Sequence, residues 1–209
     1  MAAAVSIERL SVYDQPKREF FPVGGKNLEK MGVISEIFQR ILTPLYGPQD
    51  KAIRQIKESR DRACFLLYEE DYPKGVLVFK TVLSNEYADI GVRNSIEVKS
   101  LFVDNSLQNS GKGLGSALVD KLKEEVEKLE LGHQGIHVTV SETKEESLVF
   151  FKKKGFEIIH AWKDRYVKGV TEYLLSCPAK IAEAAKPLSP FKSLGHEEQL
   201  PELLQTIHH

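Results

Sequence analysis

The chain of 209 residues is long enough to form one domain with a sizeable hydrophobic core, and its 42% hydrophobic and 28% charged residues are ordinary for a soluble globular protein. Its 29 Lys and Arg residues nearly balance 30 Asp and Glu residues, giving a formal net charge of -1 at pH 7. Composition therefore argues against a disordered chain, and the charge gives no overall reason to expect a nucleic acid or an anionic membrane as partner.

The two cysteines, Cys64 and Cys177, fit neither a disulfide framework nor a zinc site built from paired thiolates. We interpret both as buried thiols in a reducing compartment, and no metal site is predicted. The first residues, MAAAVSIERL, lack the features of a secretory signal, and no window reaches the roughly 18 apolar residues of a membrane span. We therefore expect a cytoplasmic protein without a membrane partner.

The first half of the chain contains two helical patterns followed by two strands. After an irregular lead through DQPKREFFPVGGK, apolar residues recur at helical spacing from Leu28 to Leu45, and Pro44 with YGP is expected to end that helix. A second helix is predicted from Pro48 to about Asp61. The runs ACFLLYEE and GVLVFKTVL predict an antiparallel pair of strands, with DYPKG as the turn between them.

The second half alternates strands with helices. The run SIEVKSLFV predicts a strand, and the helix after Gly113 carries one apolar stripe formed by Leu114, Leu118, Leu122, Val126 and Leu129. GIHVTV predicts a short buried strand, and a helix from about Glu145 to Lys154 is expected to end at Gly155. FEIIHAW and TEYLLSC predict two final strands.

The composition changes after Pro178, where AKIAEAAKPLSPFKSLG is rich in Ala and Pro. We predict a domain over residues 1–177 and a C-terminal extension over 178–209. Leu200, Leu203, Leu204 and Ile207 would lie on one side of a short amphipathic helix predicted within the extension. Because so short a helix is marginal alone in water, it is expected to pack on its own domain, pair with a second copy as a homodimer or bind another protein.

A glycine-spaced turn in SLFVDNSLQNSGKGLGSALVDKL joins the predicted strand to the long helix. A Walker A loop does not fit, because Gly113 follows Gly111-Lys112 and Ser106 occupies the position of the required first glycine. A Rossmann fingerprint fits poorly, because the glycines alternate and several elements precede the turn. A plain glycine-rich connection and an anion-binding turn of another kind remain open.

The order of strand, Gln-x-x-Gly-x-Gly turn, long amphipathic helix, strand and a helix ending in Gly-Phe resembles the GNAT acetyltransferase superfamily from about Ser95 to Cys177. Gln108, Gly111 and Gly113 fit the core of its motif. Glycines let the backbone approach a diphosphate, and the following helix adds N–H groups and the positive end of its dipole. The resemblance implies an α/β fold with helices on both faces of a mostly antiparallel sheet of six or seven strands, which contains one splayed parallel pair.

The same resemblance implies that acetyl-CoA is the cosubstrate, with its diphosphate on the turn and its pantetheine arm along the backbone at the end of the preceding strand. Lys112 either contacts the anion directly or remains a solvated lysine. The family often has an asparagine before the last helix, where this sequence has Lys144. Ser147 is placed to make a side-chain contact with CoA beyond the turn. The predicted cofactor-binding residues are Leu101, Phe102, Val103, Gln108, Asn109, Ser110, Gly111, Lys112, Gly113, Leu114, Gly115 and Ser147.

Acetyl transfer to an amine requires removal of a proton, which for a lysine of pKa about 10.4 costs roughly 4 to 5 kcal/mol at pH 7. The resemblance makes Glu97 the candidate base, whereas an ion pair with Lys99 on the same strand face would make both residues structural. Phe151 stands where the family often has a tyrosine that protonates the leaving thiolate. A thiolate of pKa near 8.5 can leave without that help, and Tyr166 or Tyr173 could substitute.

The resemblance therefore implies an N-acetyltransferase that moves the acetyl group of acetyl-CoA to a primary amine by direct attack in a ternary complex. No motif identifies the acceptor, which is a protein or a small molecule, and the near-neutral charge disfavours RNA. The alternative is a non-catalytic module that holds coenzyme A as a sensor or binds a partner through its extension.

Overall fold

The protein is described by a computed structural model that covers residues 17–24, 27–58, 61–104, 111–128 and 135–178. Seven strands form one sheet: β1 (Arg18–Gly24), β2 (Arg62–Glu69), β3 (Tyr72–Lys80), β4 (Ser95–Val103), β5 (Gly135–Ser141), β6 (Glu157–Lys163) and β7 (Thr171–Pro178). Their order is β1-β2-β3-β4-β5-β7-β6, and β4 with β5 is the parallel pair among otherwise antiparallel neighbours. The predicted α/β class and sheet are confirmed.

Helices cover both faces of the sheet: α1 (Met31–Ile37), α2 (Thr43–Tyr46), α3 (Asp50–Glu58), α4 (Leu114–Lys128) and α5 (Glu145–Lys153). The helices α4 and α5 pack on one face against β2 to β5 and β7, and α1 and α3 pack on the other face against β1 to β3. The apolar stripe of α4 is buried as predicted at Leu114, Leu118, Leu122 and Val126. None of the helices within the described ranges combines the length and apolar character needed to cross a membrane.

The prediction of an irregular segment before the first helix is wrong, because residues 18–24 form the strand β1 and pair with β2 along their whole length. Arg18 lies opposite Glu69, and Gly24 lies opposite Ala63. The sequence hides this strand, since Pro22 and the pair Phe20-Phe21 break the alternation of apolar and polar residues. A proline is tolerated here because β1 lies at the edge of the sheet, where not every N–H needs a partner strand.

The hairpin between β2 and β3 turns earlier than predicted, at Glu70 and Asp71, whose φ angles are 51° and 67°. Two consecutive positive φ angles are typical of the tight turn that fits the twist of a hairpin. Pro73 and Gly75 belong to β3 instead, beside a bulge where Tyr68 pairs with Pro73. Gly75 is required by packing, because a Cβ atom there would lie 2.9 Å from Val103 Cγ1 and 3.0 Å from Leu118 Cδ1.

The first helical region continues through Pro44 and ends within the predicted YGP stop. Five residues, Phe38–Leu42, form a π-helical segment, and α2 then carries Pro44 in its first turn. A proline is acceptable in the first turn of a helix, where its missing N–H would have no intrahelical partner. Gly47, the glycine of YGP, has a φ of 77° and ends the helix.

The remaining predicted elements agree with the structure within a few residues. The helix α5 ends before Gly155, whose φ of 80° is the left-handed conformation expected after a helix. Cys64 is buried, and burial raises the pKa of its thiol, but Cys177 near the end of β7 is only half-buried. Leu129 and the predicted helix of the C-terminal extension lie outside the described residues.

Candidate active site

The parallel strands β4 and β5 separate in the middle of the sheet. They pair from Ser95 with Gly135 to Val98 with Val138, after which β4 continues beside β3 and β5 continues beside β7. A bulge at Lys99 accompanies the separation, because Phe79 pairs with Val98 whereas Val78 pairs with Ser100. Among the described strands, none pairs with the β5-facing edge of residues 99–103, so an extended ligand can hydrogen-bond to that backbone.

The side chains predicted along the pantetheine path are packing residues. Leu101 and Val103 pack with the core beneath α4 and α5. Phe102 points to the opposite face, where its ring meets that of Phe38 edge to face at 5.5 Å. All three side chains are half-buried and contribute to packing, so the predicted contact with a ligand would be made mainly by the backbone.

The glycine turn leaves its backbone open at the start of α4. Gly111 and Gly113 have φ angles of 78° and 70°, and a Cβ atom at either position would have no neighbour within 4 Å. The carbonyl of Gly113 accepts the first helical hydrogen bond, from Ala117 N at 2.9 Å, and the first turn contains no acidic residue. Such an end combines free N–H groups with the positive end of the helix dipole, and so suits an anion. The predicted residues Gln108, Asn109 and Ser110 lie outside the described residues.

The helix α5 packs closely against this end of α4. A Cβ atom at Gly115 would lie 3.4 Å from the ring of Phe150, so glycine permits the close approach. Ser147 is half-buried and lies one turn before Phe150, hence on the same side of α5. The structure thus brings Ser147 to the side of α5 that faces the glycine turn, whereas the side chain of Leu114 is buried in the core.

Lys112 is held from two directions by residues far away in the sequence. Its Nζ lies 3.5 Å from Glu69 Oε2, and its carbonyl oxygen accepts a hydrogen bond from Arg18 Nη2 at 2.6 Å. Glu69 also pairs with Arg18, at 3.2 Å from Nε. Sequence reasoning missed Arg18 and Glu69, because β1 was not predicted and no local pattern links the three residues.

Glu97 is buried on the sheet face opposite α4. Its neighbours Ile96 and Val98 pack in the core beneath α4, so alternation places Glu97 on the other face. Oε1 lies 2.5 Å from Lys99 Nζ, which is the ion pair that the sequence set against a role as base, and Oε2 lies 2.7 Å from Lys80 Nζ. Two cations therefore flank the carboxylate within the sheet.

The charges around Glu97 extend to the loops that precede β4 and follow β6. Lys80 Nζ lies 3.0 Å from Glu86 Oε2, and Glu86 Oε1 lies 3.7 Å from Arg165 Nη2. Burial lowers the pKa of Lys80, but the ion pairs with Glu97 and Glu86 outweigh it, so the net pKa is raised. Lys80 is therefore a stable cation at neutral pH.

His137 is a functional candidate that sequence reasoning missed. It lies opposite Glu97 in the parallel register, is fully buried and packs against the ring of Tyr87 at 5.0 Å. Neither its ring nitrogens nor the hydroxyl of Tyr87 hydrogen-bonds to the described residues. Burial lowers the pKa of His137 to about 4, against the opposing effect of Glu97, so the imidazole is neutral at pH 7. The alternation in GIHVTV was a usable signal, since it places His137 on the opposite face of the sheet from Ile136 and Val138.

We expect the buried His137 to make the free energy of unfolding fall as the pH falls. Its pKa is depressed in the folded protein, so unfolding takes up a proton below about pH 6.5, and the loss reaches about 3 kcal/mol near pH 4. Denaturant titrations between pH 7 and 4 should show a shallower decline in His137→Gln than in the parent protein. Parallel curves for the variant and the parent protein would contradict the expectation.

Aromatic residues cover the buried pair Glu97 and His137. Tyr87 is buried, and the Arg165 guanidinium lies 5.2 Å from its ring centroid and 4.0 Å from that of Trp162. Burial, with the nearby Glu97 and Glu86 carboxylates, raises the pKa of Tyr87, so its phenol stays protonated at neutral pH.

The aromatic residues considered for the general acid lie elsewhere. Phe151 is buried between Phe150 and Phe156, with ring centroids at 5.1 Å and 5.2 Å. Tyr173 packs on the core on that same side of the sheet, and Tyr166 is exposed in the turn after β6. Of the two substitutes, only Tyr173 therefore shares the sheet face of Phe151.

Comparisons with known proteins identify relatives by fold and by family. The structure is similar to Arabidopsis thaliana NAA60 in complex with acetyl-CoA, with a TM-score of 0.63 and 13% identity over 78% of this chain and 98% of that one. It is also similar to the ribosomal-protein-S18-alanine N-acetyltransferase from Escherichia coli, with a TM-score of 0.63 and 15% identity over 82% of this chain and 100% of that one. A comparison with curated protein sequences finds no significant match.

The family assignment rests on the sequence. A family model described as an acetyltransferase (GNAT) domain matches residues 49–172, which is more than half of the 209-residue chain. This range contains the separating strands, the glycine turn and the buried Glu97. The chain belongs to the GNAT acetyltransferase family, whose cosubstrate is acetyl-CoA.

Proposed function

We propose that the protein is an N-acetyltransferase that moves the acetyl group of acetyl-CoA to a primary amine within a ternary complex. The observation that carries the proposal is the position of Glu97, one residue before the last paired position of β4 and β5. The glycine turn and the unpaired edge of residues 99–103 offer a diphosphate and an extended arm their hydrogen bonds. A thioester at the end of that arm would lie next to a buried carboxylate.

The reaction needs one bond formed and one broken. The neutral amine nitrogen attacks the thioester carbonyl carbon, the carbonyl oxygen becomes an oxyanion, and its collapse breaks the C–S bond and releases the thiolate of CoA. Free backbone N–H groups at the separation of β4 and β5 are suited to stabilise the oxyanion. The thiolate of pKa near 8.5 can leave without a dedicated acid, which accommodates Phe151 in place of a tyrosine.

The proton of the amine has two neighbouring acceptors on the same sheet face. Glu97 is the proposed base, and the neutral His137 beside it can accept a proton on one nitrogen while it donates from the other. Lys80 and Lys99 already pair with the two carboxylate oxygens of Glu97, which conflicts with holding a proton there through the reaction. A shared role for Glu97 and His137 resolves this conflict, because the proton need not remain on the carboxylate.

The experiment measures release of CoA and mass of the acceptor with a panel of amines. Peptides with free N-termini come first, because the E. coli relative is named for a ribosomal-protein alanine and an Arabidopsis NAA60 structure contains a bisubstrate analogue. Lysine peptides, polyamines and aminoglycosides complete the panel. We expect at least one acceptor to gain an acetyl group with equimolar CoA release. Binding of CoA without acetylation across the panel would favour the sensor module, and failure to bind CoA would reject both functions.

A further inference from the structure

A buried carboxylate joins the edge of the sheet to the glycine turn. Glu69, the last residue of β2, is 3% exposed and pairs with both Arg18 on β1 and Lys112 in the turn. A buried carboxylate is unfavourable unless its partners remain in place, so Glu69 restrains both cations. Three segments that are distant in the sequence are thereby connected at one point.

Arg18 uses a second part of its guanidinium to fix the backbone of the turn. While Nε pairs with Glu69, Nη2 donates to the carbonyl oxygen of Lys112 at 2.6 Å. A trans peptide is planar, with its C=O and N–H pointing in opposite directions. Because the Lys112 carbonyl points to Arg18, the N–H of Gly113 points away from it. Arg18 therefore sets the direction of a donor at the start of α4.

We propose that Arg18 and Glu69 are positioning residues for the binding of the acetyl-CoA diphosphate, an inference that rests on the proposed function. Glu69 orients the guanidinium, and the guanidinium holds the peptide between Lys112 and Gly113 in the orientation that presents N–H groups to the anion. Gly111 and Gly113, with φ angles of 78° and 70°, can adopt other conformations at little cost, so a contact from outside the turn is needed to hold one of them. Pre-organisation of this kind raises affinity because the binding energy is not used to order the turn.

The competing explanation is a direct contact between Arg18 and the 3′-phosphate of the ligand. Coenzyme A carries its diphosphate and a separate 3′-phosphate, whereas dephospho-CoA keeps only the diphosphate. A direct contact with the 3′-phosphate predicts that the effect of an Arg18 substitution disappears with dephospho-CoA. The positioning role predicts the same loss for both ligands.

The experiment is calorimetric titration of Arg18→Met with CoA and with dephospho-CoA, together with steady-state kinetics on an acceptor found in the panel. We expect Kd for both ligands and KM for acetyl-CoA to rise about tenfold, with kcat at saturation unchanged. Arg18→Lys keeps the charge but should not restore affinity, because one ammonium cannot reach both Glu69 and the carbonyl as the guanidinium fork does. The neighbouring Lys17 has an exposed side chain that pairs with Glu19, and it supplies the control Lys17→Gln with unchanged affinity.

A second variant guards against a loss of folding. Arg18→Met leaves the buried Glu69 with Lys112 as its remaining partner, which can destabilise the protein. The double variant Arg18→Met/Glu69→Gln also removes the buried charge, so its melting temperature should be closer to that of the parent. Its affinity for CoA should show the same loss of about tenfold. Unchanged CoA affinity in a folded Arg18 variant, a loss confined to CoA, or full affinity in Arg18→Lys would overturn the inference. Failure of the parent protein to bind CoA would instead reject the proposed function, so the two outcomes are separable.

Discussion

Replacing Gly113 with leucine is expected to weaken acetyl-CoA binding by well over tenfold while the protein remains folded. The residue has a φ of 70° and open space where a side chain would begin, so leucine adds strain and places its bulk where the anion approaches the backbone. The strain of a left-handed residue is about 1–2 kcal/mol, which a domain of this size can tolerate. Calorimetric titration with acetyl-CoA measures the loss.

The strain itself can be controlled for with Gly47, which has a φ of 77° and equally open surroundings at the end of α2. Gly47→Leu should lower the melting temperature about as much as Gly113→Leu but leave the affinity for acetyl-CoA unchanged. Equal affinity in a folded Gly113→Leu variant would exclude the turn as the diphosphate site. Equal losses in both variants would instead indicate a general effect on folding.

Replacing Glu97 with glutamine should lower kcat near neutral pH by about 100-fold or more, with a much smaller change in the KM for acetyl-CoA. Glutamine keeps the size of the side chain but cannot accept the proton of the amine. Activity should recover in part at higher pH, where more of the acceptor is already neutral. The pH profile of kcat is the decisive measurement, because a purely structural effect would not produce this recovery.

The helix α4 offers a closely matched control in Glu125, a buried glutamate that also lies between two lysines. Its Oε1 is 2.6 Å from Lys121 Nζ and 3.1 Å from Lys128 Nζ, and no strand of the site contains it. Glu125→Gln should change stability as Glu97→Gln does and leave kcat unchanged. Similar kcat values in the two variants across the pH range would remove Glu97 as the base, and a large loss in His137→Gln would then transfer that role to His137.

The sequence was most informative where one local pattern determines one element. The strand-like run SIEVKSLFV, the stripe of α4 and the glycine after α5 each act within a few residues, and the structure agrees with them. The family pattern added the parallel pair, which depends on the order of several such elements. The position of Glu97 on β4 was therefore predictable.

Apart from the ion pair between Glu97 and Lys99, the contacts around the site were not predictable, because they join residues that are distant in the chain. Lys80 reaches Glu97 only through the pairing of β3 with β4, and Arg18 reaches Lys112 only through an edge strand whose proline and paired phenylalanines conceal it. Similarly, Tyr87 looks like an ordinary loop residue until His137 is placed beneath it. Long-range pairing of strands, rather than local preference, determines which side chains meet.

The bulge at Lys99 divides β4 into two parts with different duties. Because one residue is added there, Ile96 and Val98 before it and Leu101 and Val103 after it all face the core beneath α4, although odd and even positions have exchanged. Without the added residue, an apolar run of this length would have to turn Leu101 and Val103 away from that core. The first part places Glu97 on the face opposite α4, and the second leaves its β5-facing main chain without a partner among the described strands. Exchanging Leu101 or Val103 for another apolar residue would therefore alter packing against that core but not the hydrogen-bonding groups that this main chain offers.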